Sequence, residues 1–290
     1  LNREIEFLTL VMMSPNNIEP KSAESESAES ASTDVVDAER RFGSVDRAYG
    51  RDVTSHLSQC HVAVVGLGGV GSWAAEALAR SGVGCLTLID LDHVAESNIN
   101  RQVHALSDSV GQAKVLAMQA RIALINPVCR VNPIQEFLDA DNALELLESS
   151  VDVVLDCTDQ ISAKIAMVLW ARHAKRTLLV CGAAGGKTDA LSLKVGDLRD
   201  STHDALLARL RSSLRKKHGY AGVQAKRTPR MGVQVLWFEQ PAHRPEALAH
   251  GVAAVVPLAC SGYGSLVTVT AAMGLAAAGQ AIHFLVQPKV

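Results

Sequence analysis

No two cysteines of this chain stand close enough to form a CxxC zinc half-site or a redox dithiol. The six are Cys60, Cys85, Cys129, Cys157, Cys181 and Cys260, a spread that excludes structural zinc and dithiol redox chemistry. Cys60, Cys85, Cys157 and Cys181 fall in or beside apolar runs, where free cysteine acts as a small buried hydrophobe in a reducing compartment. Charge is also missing in two long stretches. Between Ala205 and Phe238 there is no Asp or Glu, so Arg209, Arg211, Arg215, Lys216, Lys217, Lys226, Arg227 and Arg230 stand uncompensated, with His218 and Tyr220 interleaved. Such a stripe attracts a phosphate backbone without reading its sequence. From Gly251 to Pro288 there is no charged side chain of either sign, over more than the roughly 20 residues that cross a bilayer. Pro257, Ser261, Thr268, Thr270 and Gln280, and a composition led by Ala and Gly, favour a buried or dimer-interface helix over membrane association through 251–288.

What remains is ordinary for a globular α/β protein. The chain has 290 residues, 48% hydrophobic and 20% charged, and a formal net charge of −2, which excludes collagen-like, disulfide-stapled and wholly disordered classes. Residues 1–13 carry charges of both signs ahead of a short apolar run and no small-residue cleavage site, so they make a poor export signal. Met12 and Met13, just before a polar run, are candidate starts. Residues 14–36 are Ser/Glu/Ala repeats with little to bury. The expected organisation is a disordered extension over 1–38 and one domain over 39–290, with a basic crossover helix and loop at 200–231 and an apolar helical region at 251–288.

Apolar runs bounded by Gly or acidic residues recur at 61–66, 85–90, 128–134, 151–156 and 177–182. Helix-period stretches at 70–81, 111–125, 140–149 and 161–175 separate them, the second with Ser107 or Ser109 as the expected N-cap. This alternation predicts a Rossmann-like, doubly wound, mainly parallel sheet covered on both faces. Past Gly186 the pattern changes to a strand (191–195), a charged helix (202–218), a second strand (232–238) and a terminal apolar helix (262–286), a C-terminal strand and helix extension.

Gly66-Leu-Gly68-Gly69-Val-Gly71 directly follows the first strand and opens a helix, the context in which a glycine loop brings backbone and helix N-terminus to a phosphate. Asp90 ends the next strand, about 20 residues on, where a carboxylate accepts ribose hydroxyls. Asp92, Asn98, Arg101, Gln102 and Lys114 follow, then Asp156-Cys157-Thr158-Asp159 at the end of the fourth strand. Hydride transfer has no use for an Arg and a Lys placed to reach a triphosphate, whereas adenylation does. Pyrophosphate leaves with growing charge, and a carboxylate must hold the magnesium that bridges the phosphates. Arg101 and Lys114 are the candidate phosphate clamp, and Asp159 the candidate magnesium ligand. An NAD-dependent oxidoreductase and a non-catalytic RNA-binding paralogue remain weaker readings.

GxGGxG, LIDLD, NxNRQ, Lys114 and DCTD, in that order, resemble the ubiquitin-activating-enzyme-like adenylating superfamily. Members that activate ubiquitin-like or sulfur-carrier tails carry CxxC zinc pairs and a crossover cysteine; this chain has neither, and has no Cys between 182 and 259. RFGSVDRAYG, NINRQVHAL, GAAGG and CSGYGS are similar to the branch that dehydrates threonylcarbamoyladenosine in tRNA. The resemblance implies ATP and magnesium, an acyl-adenylate on the substrate carboxylate, and closure by the neighbouring nitrogen to a cyclic hydantoin. It also implies a tRNA partner, a homodimer and a cytoplasmic location, and it brings a cysteine desulfurase and sulfur-acceptor system as a further partner. Activation of a ubiquitin-like tail is the alternative. In relatives an Arg reaches the partner subunit's ATP site from a position occupied here by Ser44, which leaves Arg41 or Arg47 for that role. The GAAGG turn at 182–186 is either a tight turn or a seat for substrate or a monovalent cation, and Cys260 is expected to be structural.

Overall fold

The computed structural model describes residues 37–147, 149–222, 228–243 and 263–287. The expectations for 1–36, for Lys226 and Arg227, and for Cys260 lie outside the described residues. Helices α1 (Ala38–Tyr49) and α2 (Val53–Leu57) lead into β1 (His61–Val65), and α1 begins where the Asp37 carboxylate accepts the Arg40 amide. Then follow α3 (Gly71–Arg80), β2 (Cys85–Ile89), α4 (Lys114–Ile125), β3 (Arg130–Ile134), α5 (Ala143–Leu146), β4 (Val153–Asp156), α6 (Ile161–Ala174) and β5 (Thr177–Cys181). The chain continues through β6 (Leu193–Asp197), α7 (Ala205–Lys217), β7 (Gln234–Phe238) and α8 (Val267–Val286).

Among the described residues the strands form one seven-stranded sheet in the order β3-β2-β1-β4-β5-β7-β6. All neighbours are parallel except β6 and β7, which pair antiparallel from Leu193 opposite Phe238 to Asp197 opposite Gln234. Val62 of β1 sits between Leu86 of β2 and Val153 of β4. Every residue of β1 and β2 is buried, because helices cover both faces. On one face Val62, Val64, Leu86, Leu88, Leu155 and Leu236 meet α3, α4 and α8. On the other, Val65 and Val154 meet α5 and α6, while Val180, Val235 and Trp237 meet α7.

Residues 251–262 of the apolar C-terminal region also lie outside the described residues; its described part forms α8, a core helix in which Val269, Met273, Ala277, Ala281 and Leu285 are buried against the first face. It is long and apolar enough to cross a membrane, with 44% of its most apolar window buried inside this fold. Its opposite side exposes Leu275.

Several boundaries differ from expectation. Helix α4 starts at Lys114, with Ala113 as an N-cap that lacks a capping side chain. Ala113 is pinned by a β-bridge to His93, and Ser109 Oγ instead takes the Leu106 amide and donates to the His104 carbonyl. Helix α5 keeps only one turn because the Asp139 carboxylate accepts the amides of Asp141 and Asn142 and folds that stretch into a turn. The strand expected at 191–195 starts at Leu193, after a 3-10 turn at Ala190–Ser192 capped by Asp189.

Candidate active site

The strand order reverses between β1 and β4, and a ligand crevice opens at the carboxyl ends flanking such a point. The glycine loop leaves β1 there and DCTD leaves β4. Gly66 has φ +88, and a Cβ on it would meet the Cys157 carbonyl at 3.0 Å. A Cβ on Gly71 would lie 1.8 Å from the Gly66 oxygen, so Gly71 serves loop-to-helix packing and does not line the cleft. Gly68 has nothing within 4 Å of its Cβ position, leaving space for a phosphate. Helix α3 has no capping side chain at Val70; its Ser72 amide donates to the Gly68 carbonyl at 3.1 Å, and the positive end of the helix faces the loop.

Asp90 ties the loop to β2. Its Oδ2 accepts the Leu67 amide at 2.6 Å and its Oδ1 accepts the Asp92 amide at 2.9 Å. Burial raises its pKa above the ordinary carboxylate value, against the pull of Lys114 and these amides. Lys114 enters from the start of α4, with Nζ 2.7 Å from Asp92 Oδ2 and 3.9 Å from Asp90 Oδ1. The lysine expected to be waiting for phosphate is thus already paired to Asp92.

The NxNRQ segment is a tight loop. Asn98 Oδ1 accepts the Ala95 amide and the Asn98 carbonyl accepts the amides of Arg101 and Gln102, so Asn98 shapes the loop. Arg101 donates through Nη1 to the Ser97 carbonyl and to Asn100 Oδ1, and Trp73 Nε1 donates to the Arg101 carbonyl. Asn100 Nδ2 donates to the Ser265 carbonyl at 2.9 Å, joining the loop to the lead-in of α8. Gln102 is buried at the cleft, and its Oε1 has no partner among the described residues.

At the end of β4 the two acids of DCTD separate. Asp156 is fully buried: its Oδ1 accepts Thr158 N and Oγ1 and Lys164 Nζ at 3.0 Å, and Lys164 also donates to the Cys181 carbonyl. Burial raises the Asp156 pKa, with Lys164 and Thr158 opposing. This pair fastens β4, α6 and β5 together. Asp159 is exposed at the cleft wall and makes no hydrogen bond or ion pair among the described residues. A free carboxylate beside a phosphate loop fits magnesium, which takes one or two carboxylates plus substrate phosphates. No cluster of three or more His, Cys, Asp or Glu side chains occurs among the described residues, so the protein itself offers no complete metal cage there.

Gly66, Gly68, Gly69, Asp90, Asp92, Asn98, Arg101, Gln102, Lys114 and Asp159 all line one cleft of about 280 Å³. Phe137, Leu138 and Thr270 also line it. The first two follow β3 at the carboxyl edge, where the position of the strand alone could have found them. Thr270 comes from α8 and carries no local signal. A second chamber of about 530 Å³ shares Cys157, Thr158, Asp159, Gln160, Ala184 and Gly185 with the cleft and extends beneath the start of α7.

The basic stripe is not one surface. Arg209, Lys216, Lys217 and Arg230 are exposed, whereas Arg211 Nη1 donates to the carbonyls of Leu198 and Ser201 and to Ser201 Oγ. Arg215 is half-buried, with Nε unpartnered among the described residues. Tyr220 lies beneath Arg172, 5.0 Å from the ring centroid. Arg41 donates to the Ile125 carbonyl at 2.8 Å, while Arg47 is exposed.

The profile of the ThiF family matches residues 44–290. The chain belongs to the ThiF family. Among its ThiF relatives, the tRNA threonylcarbamoyladenosine dehydratase of Haemophilus influenzae is 37% identical, the match covering 87% of this chain and 95% of the relative. The enzyme of the same name from Escherichia coli is 38% identical, over 86% of this chain and 94% of its own. The crystal structure of the E. coli tRNA N6-threonylcarbamoyladenosine dehydratase in complex with ATP aligns with a TM-score of 0.76 and 36% identity, covering 85% of this chain and 94% of that one. The Rossmann-like, mainly parallel α/β sheet expected from the strand pattern is the observed one, and it aligns with the fold of these relatives.

Proposed function

We propose that this chain is an ATP-dependent dehydratase that cyclises threonylcarbamoyladenosine beside the tRNA anticodon. The observation that carries the reading is the convergence of the open glycine loop, Asp90, Arg101, Lys114 and the free Asp159 on one cleft, in a chain that matches the dehydratase relatives over nearly their whole length.

Asp90 holds the glycine loop and keeps lone-pair capacity for ribose hydroxyls. The Gly68 backbone and the positive end of α3 receive the phosphates, and Arg101 and Lys114 balance the charge of departing pyrophosphate. Asp159 would hold magnesium, which when bound supplies charge neutralisation across the phosphates. In the first step a substrate carboxylate oxygen bonds to the α-phosphorus and the bond to pyrophosphate breaks. In the second, the urea-type nitrogen next to the base attacks the acyl carbon, loses its proton and expels AMP. The product is one water lighter, and the oxygen it loses leaves in AMP. The nitrogen is tethered to its electrophile, and that tether supplies effective molarity, so the protein needs no nucleophile of its own.

Lys216, Lys217 and Arg230 form the proposed tRNA face, with Arg215 at its edge; Arg209 faces the second chamber, Arg211 is engaged within its own chain and Lys226 and Arg227 lie outside the described residues. A homodimer buries the outer side of α8 and leaves Arg47, rather than the engaged Arg41, to reach a partner's site. The Lys187 ammonium donates to the carbonyls of His203 and Gln240 beside the GAAGG turn, taking acceptors that a monovalent cation would need. A cytoplasmic location and the sulfur-acceptor partnership rest on the family resemblance. Pyrophosphate exchange into ATP tests the reading: modified tRNA should stimulate it and a small protein ending in Gly-Gly should not. The reverse pattern would establish tail activation instead.

A further inference from the structure

The second chamber opens into the nucleotide cleft through the DCTD turn and the Ala184–Gly185 backbone, so whatever occupies it lies next to the phosphates. Its volume of about 530 Å³ falls in the range of small-molecule sites. Ile161, Ala183, Ala205, Leu206 and Ala242 give it apolar walls, suited to a base and a threonine methyl group.

The charged groups facing the chamber are Asp159, Lys187, Asp204 and Arg209, with His203 beside them. Asp204 is spent, since its Oδ1 accepts the Leu207 amide at 2.9 Å and its Oδ2 accepts the Ala183 amide at 2.8 Å. Lys187 is buried and gives two of its three N–H groups to the carbonyls of His203 and Gln240. Asp159 is an anion and repels a carboxylate. Arg209, one turn into α7, is exposed and makes no hydrogen bond or ion pair among the described residues. Among the described residues it is therefore the exposed, unpaired cation on this wall.

We propose that this chamber is the acceptor pocket for the modified adenosine and that Arg209 is the positioning residue that pairs with its free carboxylate before adenylation. The inference rests on the dehydratase reading. A carboxylate approaching ATP meets phosphate repulsion, and a guanidinium offers it two parallel donors at fixed geometry. Once the carboxylate has become a mixed anhydride with AMP its own charge is gone and the pairing ends. Arg209 thus acts on the ground state, and its loss appears in KM more than in kcat.

The test uses the full chain loaded with a non-cleavable ATP analogue, titrated with free N6-threonylcarbamoyladenosine and with its methyl ester. The wild type should bind the acid about tenfold or more tighter than the ester, the scale of one charge-assisted hydrogen bond. Arg209→Met should abolish that preference and raise KM for modified tRNA more than it lowers kcat, with the ATP-induced melting shift unchanged. Ala205→Trp, which fills the chamber wall, should raise KM for both acid and tRNA with the same ATP shift. If Arg209→Met keeps the acid-over-ester preference, or Ala205→Trp leaves KM unchanged, the assignment is overturned while the dehydratase reading stands. If the wild type removes no water from modified tRNA, both fall together.

Discussion

Gly68 and Gly71 look interchangeable in the motif, and the structure gives them opposite jobs that two alanine substitutions separate. A methyl on Gly71 would sit 1.8 Å from the Gly66 oxygen and 3.1 Å from Cys157 Cβ. The nearer neighbour is backbone and cannot swing aside, so the upper end of the overpacking range applies, about 3 kcal/mol. For a domain of this size that lowers Tm by about 6–12 °C. Gly68 has open space around its Cβ position and no positive φ, so Gly68→Ala should keep Tm or raise it by the few tenths to about 1 kcal/mol that a stiffer unfolded chain gives. Its methyl would instead stand where phosphate oxygens approach the loop. ATP at 100 times its Kd stabilises a protein by about 2.7 kcal/mol, a shift of about 5–10 °C that Gly68→Ala should largely lose. Thermal melts of both variants with and without ATP and magnesium make the measurement. A Gly68→Ala protein with the full ATP shift would refute the phosphate-loop reasoning, and a Gly71→Ala protein melting like wild type would refute the packing one.

Asp159→Asn should melt within about 1 °C of wild type, since the side chain is exposed and unpaired among the described residues, yet lose turnover by at least 100-fold; near-normal turnover would remove Asp159 from the magnesium site. His104 is buried, neither ring nitrogen has a partner among the described residues, and burial, reinforced by Lys114 and Arg121, lowers its pKa from 6.5 to about 4. The unfolded ring therefore binds the proton first. Its contribution is fully present above pH 6.5 and is lost as pH falls towards 4, about 3 kcal/mol in all. Urea melts across that window should show the loss in wild type and much less of it in His104→Leu. Charge reversal of Arg215, Lys216 and Lys217 should weaken tRNA binding at least tenfold and flatten its salt dependence while ATP affinity stays put, as filter binding at several salt concentrations would show. Light scattering in detergent-free buffer should give twice the 30.8 kDa chain mass, and a stable monomer would leave the outer side of α8 unexplained.

The strands were legible because each is a short apolar run closed by Gly or an acid, and the edge at which they end locates the cleft. Asp90, Arg101 and Lys114 were legible as charged residues spaced after a glycine loop. What stayed hidden depends on long-range geometry. Nothing local to Lys164 says that its ammonium lies under Asp156, and nothing near Asp92 says that it holds Lys114 at 2.7 Å. Thr270 reaches the cleft only because α8 packs across α3. Arg211 reads as one more member of a basic run until the carbonyls of Leu198 and Ser201 are found around its guanidinium. The start of α4 moved for the same reason: a bridge to His93 decides it, and Ser109, a good cap in isolation, is used elsewhere.

The central claim is that the chain activates the substrate's own carboxylate as an adenylate. Modified tRNA whose threonyl carboxylate carries oxygen-18 can be incubated with the protein, ATP and magnesium, and both products weighed by mass spectrometry. The account predicts a nucleoside lighter by one labelled water and one oxygen-18 atom in the phosphate of AMP. A nucleoside of unchanged mass, or label in phosphate or ADP with none in AMP, would contradict it.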